Sequence, residues 1–308
     1  KEFYFNPERQ FKVFQNLLTT YGEPIMLLPL IHTYELCEAI KNDGIKVVLA
    51  GHGADELFYG YTGHKRTALA SLITSITTYI PGFKSLISRL KPNHPMSILL
   101  NSKPGHRKAA LYNSYMSTLD PILSKEALDN VHNVVADELS YWGEKGPNKN
   151  YIDESSYLGL ILENSASVAI SGDIPAMMNG IEVRCPFLDN NILKFAFNCH
   201  WNKKITPFFK SKNLKKILKD SVNDIIPKNL LNAPKRGFGF GIDEKSLFLG
   251  PWKKHAQKLL NNFPNNTAID PFKVRNIWKS AQEKGDNSWD IIMKLVNLGT
   301  FLEDSGLN

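Results

Sequence analysis

Residues 45 to 61 read IKVVLAGHGADELFYGY, and the order of residue types in this stretch sets the fold class. Ile45 to Ala50 is an apolar run rich in β-branched residues without polar alternation, the pattern of a strand buried on both faces of a parallel sheet. Lys46 falls at the edge of that burial. Gly51, His52 and Gly53 follow as a tight turn, and Ala54 to Tyr59 reads as a helix start. Asp55 and Glu56 lie in its first turn, where carboxylates complement the helix dipole. Upstream, Leu30, Tyr34, Cys37 and Lys41 share one helical stripe, and Asp43 with Gly44 stops that helix near Asn42. Helix, buried strand, glycine turn and helix make half of a doubly wound α/β unit.

The 308 residues are enough for one large domain or two smaller ones, and 43% hydrophobic with 22% charged residues excludes a disordered or low-complexity chain. The apolar runs are far shorter than the roughly 20 residues of a membrane helix, so no membrane partner is expected. Cys37, Cys185 and Cys199 have no CxxC spacing, which argues against a disulfide framework or structural zinc and for a reducing, cytoplasmic setting. Glu2 to Arg9 reads like the interior of a domain, so a segment ahead of Lys1 is expected.

The formal net charge is +7. Between Lys203 and Arg236 stand ten Lys or Arg against Asp220 and Asp224, a local +8 that suits either a solvated face or an anion-binding surface. Beyond Thr67 strand signals fade. Spacings near 3.6 recur over Lys108 to Leu119, Lys125 to Trp142, Asp153 to Ala169, Asn190 to Phe197, Lys212 to Ile225 and Phe272 to Glu283. Pro81 with Gly82, Pro92, Pro95 and Pro104 break the helical segments. The organisation expected is therefore a sheet-containing part over 1–66 and a mainly helical part over 67–308. Trp252, Trp278 and Trp289 fall on helical stretches as core residues.

Three stretches could carry chemistry. A Gly-x-Gly turn leaving a parallel strand lets backbone approach an anion, which makes Gly51 and Gly53 candidates for ligand contact and Asp55 a candidate Mg²⁺ ligand. The plain alternative is that Asp55 and Glu56 only offset the helix dipole. In DIPAMMNGIEVRCPFLD (Asp173 to Asp189), Glu182, Arg184 and Asp189 interrupt an apolar segment, either as functional charges or as a structural ion pair. In APKRGFGFGI (Ala233 to Ile242), Lys235 and Arg236 precede three glycines, either as cations over an anionic ligand or as a solvated loop.

The order of KVVLAGHGADELFYGY, GIEVRCPFLD and PKRGFGFGI resembles the synthetase domain of the asparagine synthase family, of the ATP pyrophosphatase type. The resemblance covers most of the chain, more loosely after Ile242, and implies that 1–308 is a synthetase domain without its phosphate-loop strand: part of a doubly wound parallel sheet of the adenine nucleotide α-hydrolase kind, followed by a mainly helical half. It implies an amide-forming ligase. A substrate carboxylate attacks the α-phosphate of ATP, pyrophosphate leaves with Mg²⁺, and ammonia from a glutaminase domain displaces AMP, as in asparagine biosynthesis. Carried over position by position, Gly51 and Gly53 admit nucleotide and Asp55 holds Mg²⁺. Lys235 offsets phosphate charge in the transition state, with Arg236 beside it. Glu182 acts as acid, base or orienting group, and Asp173 helps to hold metal or substrate.

The sequence departs from the family pattern at Ala50, where Ser is usual, at His52, where an acid is usual, and at Ile174, which follows Asp173 where a basic residue is common. The SGGxDS phosphate loop does not occur in the 308 residues and is expected upstream with the first strand of the sheet. His52 could move protons near neutral pH and points to a substrate other than aspartate, such as a sugar acid of a surface polysaccharide, which makes an amidotransferase of that pathway the near alternative. A scaffold that keeps the fold without turnover is a second reading. A nucleic-acid binder using the Lys203 to Arg236 cluster is a third and weaker one, since Phe208 and Phe209 are its only aromatics apart from the glycine-loop Phe residues that follow. A homodimer is compatible with all three.

Overall fold

The computed structural model describes residues 4, 6–24, 29–77, 79–115, 122–147, 150–205, 214–231, 233, 244–264, 268–284 and 288–306. Helix α1 (Pro7–Tyr21) starts where Asn6 accepts a hydrogen bond from the Glu8 N–H and Pro7 takes the first helical position. Gly22, at φ 74°, ends it. Helix α2 (Pro29–Asn42) stops where its sequence signals do, and strand β1 (Val47–Leu49) leads through the glycine turn into α3 (Ala54–Phe58).

A helical run follows: α4 (Gly63–Thr77), α5 (Phe83–Leu90), α6 (Pro95–Asn101), α7 (Arg107–Tyr115), α8 (Lys125–Lys145) and α9 (Tyr151–Leu158). The last of these widens into π-type turns over Gly159–Ala169 and passes into α10 (Ile170–Met178). Strand β2 (Glu182–Arg184) comes next, then α11 (Asn190–Asn198), α12 (Trp201–Lys204), α13 (Lys216–Ser221) and α14 (Lys228–Leu231). Helices α15 (Glu244–Leu249), α16 (Lys253–Asn261), α17 (Pro271–Lys284) and α18 (Trp289–Ser305) follow.

The two strands pair in parallel, with Val47, Val48 and Leu49 opposite Glu182, Val183 and Arg184. Because side chains alternate, Val48 and Val183 share one face and pack with Cys37 and Ile40 of α2 and with Ala176 and Ile181. Val47, 42% exposed, and Leu49, 75% exposed, share the other face with the exposed Glu182 and Arg184. The expected burial of this strand on both faces is thus corrected. Helices α2 and α10 both contribute to the Val48 side, and the described residues form no layer on the opposite one. Two strands with one covered face give an α/β arrangement, mostly helical, but do not define a doubly wound order.

The largest core lies elsewhere. Val13, Phe14, Leu17 and Leu18 of α1 pack with Leu247, Phe248, Trp252, Leu259, Leu260, Val274, Trp278, Trp289 and Val296 from the last four helices and their connections. Phe11 meets Trp252 edge-on at 5.1 Å between ring centroids, and Trp278 meets Trp289 at 6.4 Å and 88°. All three tryptophans are core residues, as their helical settings suggest. Each large side chain fully buried there contributes about 1.5–3 kcal/mol relative to exposure.

His32, on α2, is buried, and that burial pushes its pKa down to about 4. A histidine whose folded pKa lies below its unfolded value of about 6.5 contributes stability that is present above pH 6.5 and is lost as pH falls towards 4. Urea unfolding between pH 7 and 4 should show a loss on the order of 1–3 kcal/mol from this group. His32→Leu should flatten that slope in part, since burial lowers His52 and His255 in the same direction. An unchanged slope would assign the acid lability to other groups.

Candidate functional site

The carboxyl ends of the two strands meet at one point, where the Ala50 N–H donates to the Arg184 carbonyl at 2.8 Å. From there the chain enters the Gly51 to Gly53 turn. Gly51 is exposed, with open space where a side chain would project. His52 packs on Gly172 so closely that a Cβ at Gly172 would stand 2.5 Å from His52 Nε2. Burial holds the His52 imidazole below its ordinary pKa, against a smaller opposing influence of Glu56. Gly53 adopts φ 85°, and a Cβ there would stand 2.3 Å from Leu188 Cδ2. This position therefore requires glycine both for its backbone and for its neighbour.

Two of the sequence motifs are thus in direct contact, Gly53 of the first against Leu188 of the second. The segment containing Gly172 closes on the same turn. Asp173, next in the chain, is exposed, and its charge adds to burial in raising the Cys185 thiol pKa. His52, Gly51, Gly53 and the Asp173 segment therefore share one locality at the strand ends.

Asp55 has a different neighbour. Its Oδ1 lies 3.0 Å from Lys215 Nζ, both side chains about a quarter exposed at 26% and 27%. Gly60 makes room for this pair, since a Cβ there would fall 1.6 Å from Asp55 Oδ1 and 2.4 Å from Lys215 Cε. The adjacent Glu56 is buried and accepts from the Tyr61 hydroxyl at 2.5 Å, while the Ser156 hydroxyl donates to its backbone carbonyl. The two acids of the motif thus divide between a cation and the packing of α3 on α9.

A buried polar cluster braces the far end of α3. Tyr59, fully buried and left-handed at φ 58°, donates its hydroxyl to Asp153 at 2.5 Å. Lys204 of α12 is also buried. Its ammonium donates to the Tyr59 hydroxyl at 3.4 Å and lies 4.5 Å from the centre of the Tyr59 ring. Burial pushes the Lys204 pKa down to about 8, partly opposed by Asp153. These bonds tie α9 and α12 to the helix that carries Asp55.

Glu182 accepts from Arg184 Nε at 2.7 Å on the exposed face of β2, and this bond holds its pKa below the usual carboxylate value. Asp189 takes no part and instead caps α11 through the Asn191 N–H at 2.8 Å. Lys235 and Arg236 lie outside the described residues. Among the described residues no three His, Cys, Asp or Glu side chains form a metal cage. Three participants were not singled out from sequence. Lys215 was one cation in a basic run, Leu188 an apolar residue in the second motif and Gly172 a residue before an acid.

A model of the asparagine synthase family matches residues 1–303. The chain is 24% identical over 314 residues to asparagine synthetase [glutamine-hydrolyzing] 1 of Bacillus subtilis (strain 168), covering 94% of this chain and 46% of that protein. It is 35% identical over 82 residues to a probable asparagine synthetase [glutamine-hydrolyzing] of Acanthamoeba polyphaga mimivirus, covering 26% of this chain and 14% of that one. It is also 23% identical over 246 residues to the amidase chyE of Penicillium rubens, covering 66% and 33%. The chain spans less than half the length of these relatives. With the family model running through all three motifs and nearly the whole chain, the protein belongs to the asparagine synthase family.

Proposed function

We propose that this chain is the synthetase part of an ATP-dependent, amide-forming ligase built on a doubly wound sheet of the adenine nucleotide α-hydrolase type. The observation that carries the reading is the joint at the carboxyl ends of β1 and β2, where His52 meets Gly172, Gly53 meets Leu188 and Gly51 faces open space. Open parallel sheets bind ligands outside the carboxyl ends of their strands, and the N–H groups of a glycine turn suit phosphate.

In this reading an oxygen of the substrate carboxylate bonds to the α-phosphorus of ATP as the bond to the bridging β-oxygen breaks and pyrophosphate leaves. The nitrogen of ammonia, delivered by a glutaminase domain, then bonds to the acyl carbon, AMP departs with the bridging oxygen, and a proton is released. His52 is the group at this joint that takes that proton, by its position against Gly172 where the strand ends meet, while burial holds its pKa below the ordinary value. Glu182 orients the substrate, and Lys235 with Arg236 offsets charge on the phosphates.

Magnesium suits the site as a companion of phosphate. Asp173, exposed beside the His52 turn, and Asp55, on exchanging Lys215 for the metal, are the carboxylates that would hold it, and Mg²⁺ is commonly held by one or two carboxylates together with substrate phosphates and water. When bound there it would neutralise the departing pyrophosphate. His52 at a usually acidic position favours a carboxylate other than aspartate, a sugar acid among them. A non-catalytic scaffold of the same family is the second reading, favoured by the ion pairs that already engage Asp55 and Glu182. We place the enzyme in the cytoplasm, with a homodimer as a compatible assembly.

Lys235→Ala in the intact protein should slow pyrophosphate release on the order of 10²-fold or more, as loss of a charge-stabilising group does. Undiminished turnover would remove that loop from the mechanism. Calorimetric titration of the intact protein with ATP should give binding heat that depends on Mg²⁺, and Asp55→Asn should raise the Mg²⁺ concentration required about tenfold, a change of 1.4 kcal/mol. No heat at millimolar nucleotide would favour the scaffold.

A further inference from the structure

Helices α4, α6, α7 and α9 pack as a ring, with α4 and α7 each touching both α6 and α9. Residues of all four line an open cleft of about 320 Å³, near the lower limit of small-molecule pockets. Its walls are fixed by buried bonds. The Ser71 hydroxyl accepts from the Ile152 N–H at 2.8 Å and holds α9 on α4. Glu154 of α9 accepts from the N–H groups of Gly105, Arg107 and Lys108 and so holds the start of α7. No residue of the strand-end joint lines the cleft and, among the described residues, no carboxylate does.

The hydrogen-bonding groups of the lining select a ligand. Thr74 donates its hydroxyl hydrogen to the Ser71 carbonyl at 2.9 Å, and Ser102 donates to the Ile98 carbonyl at 2.7 Å. Those hydrogens are engaged within the helices, while the oxygens keep lone pairs that a ligand can meet only with donors. Arg107 has the converse need. One of its nitrogens lies 3.4 Å from Glu154, at the far end of hydrogen-bond range, and that carboxylate is already held by three backbone N–H groups. Among the described residues the other guanidinium N–H groups have no acceptor, and a carboxylate or phosphate is the group that matches them. Leu99 and Leu100 add apolar surface for a carbon skeleton, and Tyr79, 87% exposed, adds an aromatic ring. We propose that this cleft binds a monosaccharide-sized polyhydroxylated anion, a sugar or polyol bearing one carboxylate or phosphate. A neutral sugar would leave Arg107 unmet, inorganic phosphate would leave the apolar wall unmet, and the volume is small for a nucleotide. The cleft is separate from the strand-end joint, and the inference does not depend on the proposed reaction.

The test is isothermal titration of the intact protein with gluconate, glucose 6-phosphate, glucose and inorganic phosphate. Gluconate, glucose 6-phosphate or both should bind with a Kd of about 1 mM or below, and glucose and inorganic phosphate about tenfold more weakly or worse, since each meets one part of the lining only. Binding of one anionic polyol and not the other would support the proposal and identify the anionic group. Thr74→Val, which keeps the side-chain volume and removes the acceptor oxygen, and Arg107→Gln, which removes the charge, should each weaken binding about tenfold or more at an unchanged melting temperature. Should Arg107→Gln fail to fold for want of its contact with Glu154, Arg107→Lys, which keeps the charge and loses the planar fork, takes its place with the same expected loss. Asp55→Asn should bind the probes as the wild type does. Absence of heat from both anionic polyols, equal affinity for glucose or inorganic phosphate, or wild-type affinity in a folded Thr74 or Arg107 variant would overturn the proposal. So would a loss of binding in Asp55→Asn alone, which would assign the probes to the strand-end joint.

Discussion

The pairing of Val47–Leu49 with Glu182–Arg184 joins parts of the chain more than 130 residues apart. Everything at the candidate site follows from that register. A parallel pair puts both carboxyl ends at one edge, so the Gly51 to Gly53 turn and the Cys185 to Leu188 segment leave the sheet side by side. The packing of α10 against α2 then brings Gly172 onto His52. A slip of β2 by one residue against β1 would turn Val183 outward and bring Glu182 and Arg184 to the α2 side, beside Val48. Burying that ion pair among Cys37, Ile40 and Ala176 would carry a desolvation cost that its own attraction does not reliably offset. The charged residues therefore specify the register as firmly as the valines do.

Short α3 shows how a five-residue helix is kept in place. It is too short to stand on propensity. Gly53 admits Leu188 at its start, Glu56 and Ser156 tie its middle to α9, and Tyr59 with Asp153 and Lys204 closes its end. Asp55 is the motif carboxylate left at the surface, opposite Lys215. The acidic pair thus divides between a buried residue in the packing of α3 and one paired with Lys215, a division that composition alone does not express.

What was legible in the sequence was local. The stop at Asn42, the turn, the start of α3 and the core tryptophans follow from capping, glycine and period, which act over a few residues. The covered face of the strand was not legible, because six apolar residues look alike whether one side or both is packed. Nor was the partner of Asp55, since Lys215 stands among nine other cations of similar spacing. The helix expected over Lys212 to Ile225 is shorter, Lys216–Ser221, and Lys215 precedes it in the left-handed region at φ 53°. A tertiary contact with Asp55 accompanies that conformation, which a period of 3.6 does not anticipate. For Glu182 the structural alternative, a pair with Arg184, describes the geometry, and it was one of two readings that residue types allowed.

The main core joins α1 to the final helices, and the Trp252 indole donates to the Pro7 carbonyl across 245 residues of chain. During synthesis at 5–20 residues per second, the apolar side of α1 would wait roughly 12 to 50 seconds for that partner to leave the ribosome. The sheet and α3 can assemble earlier, around α10, while α1 stays adhesive. The newborn chain is thus open to aggregation through α1 for that interval, and a helper that shields Phe14 and Leu17 until the last helices emerge would matter more for its yield than any added stability in the finished fold.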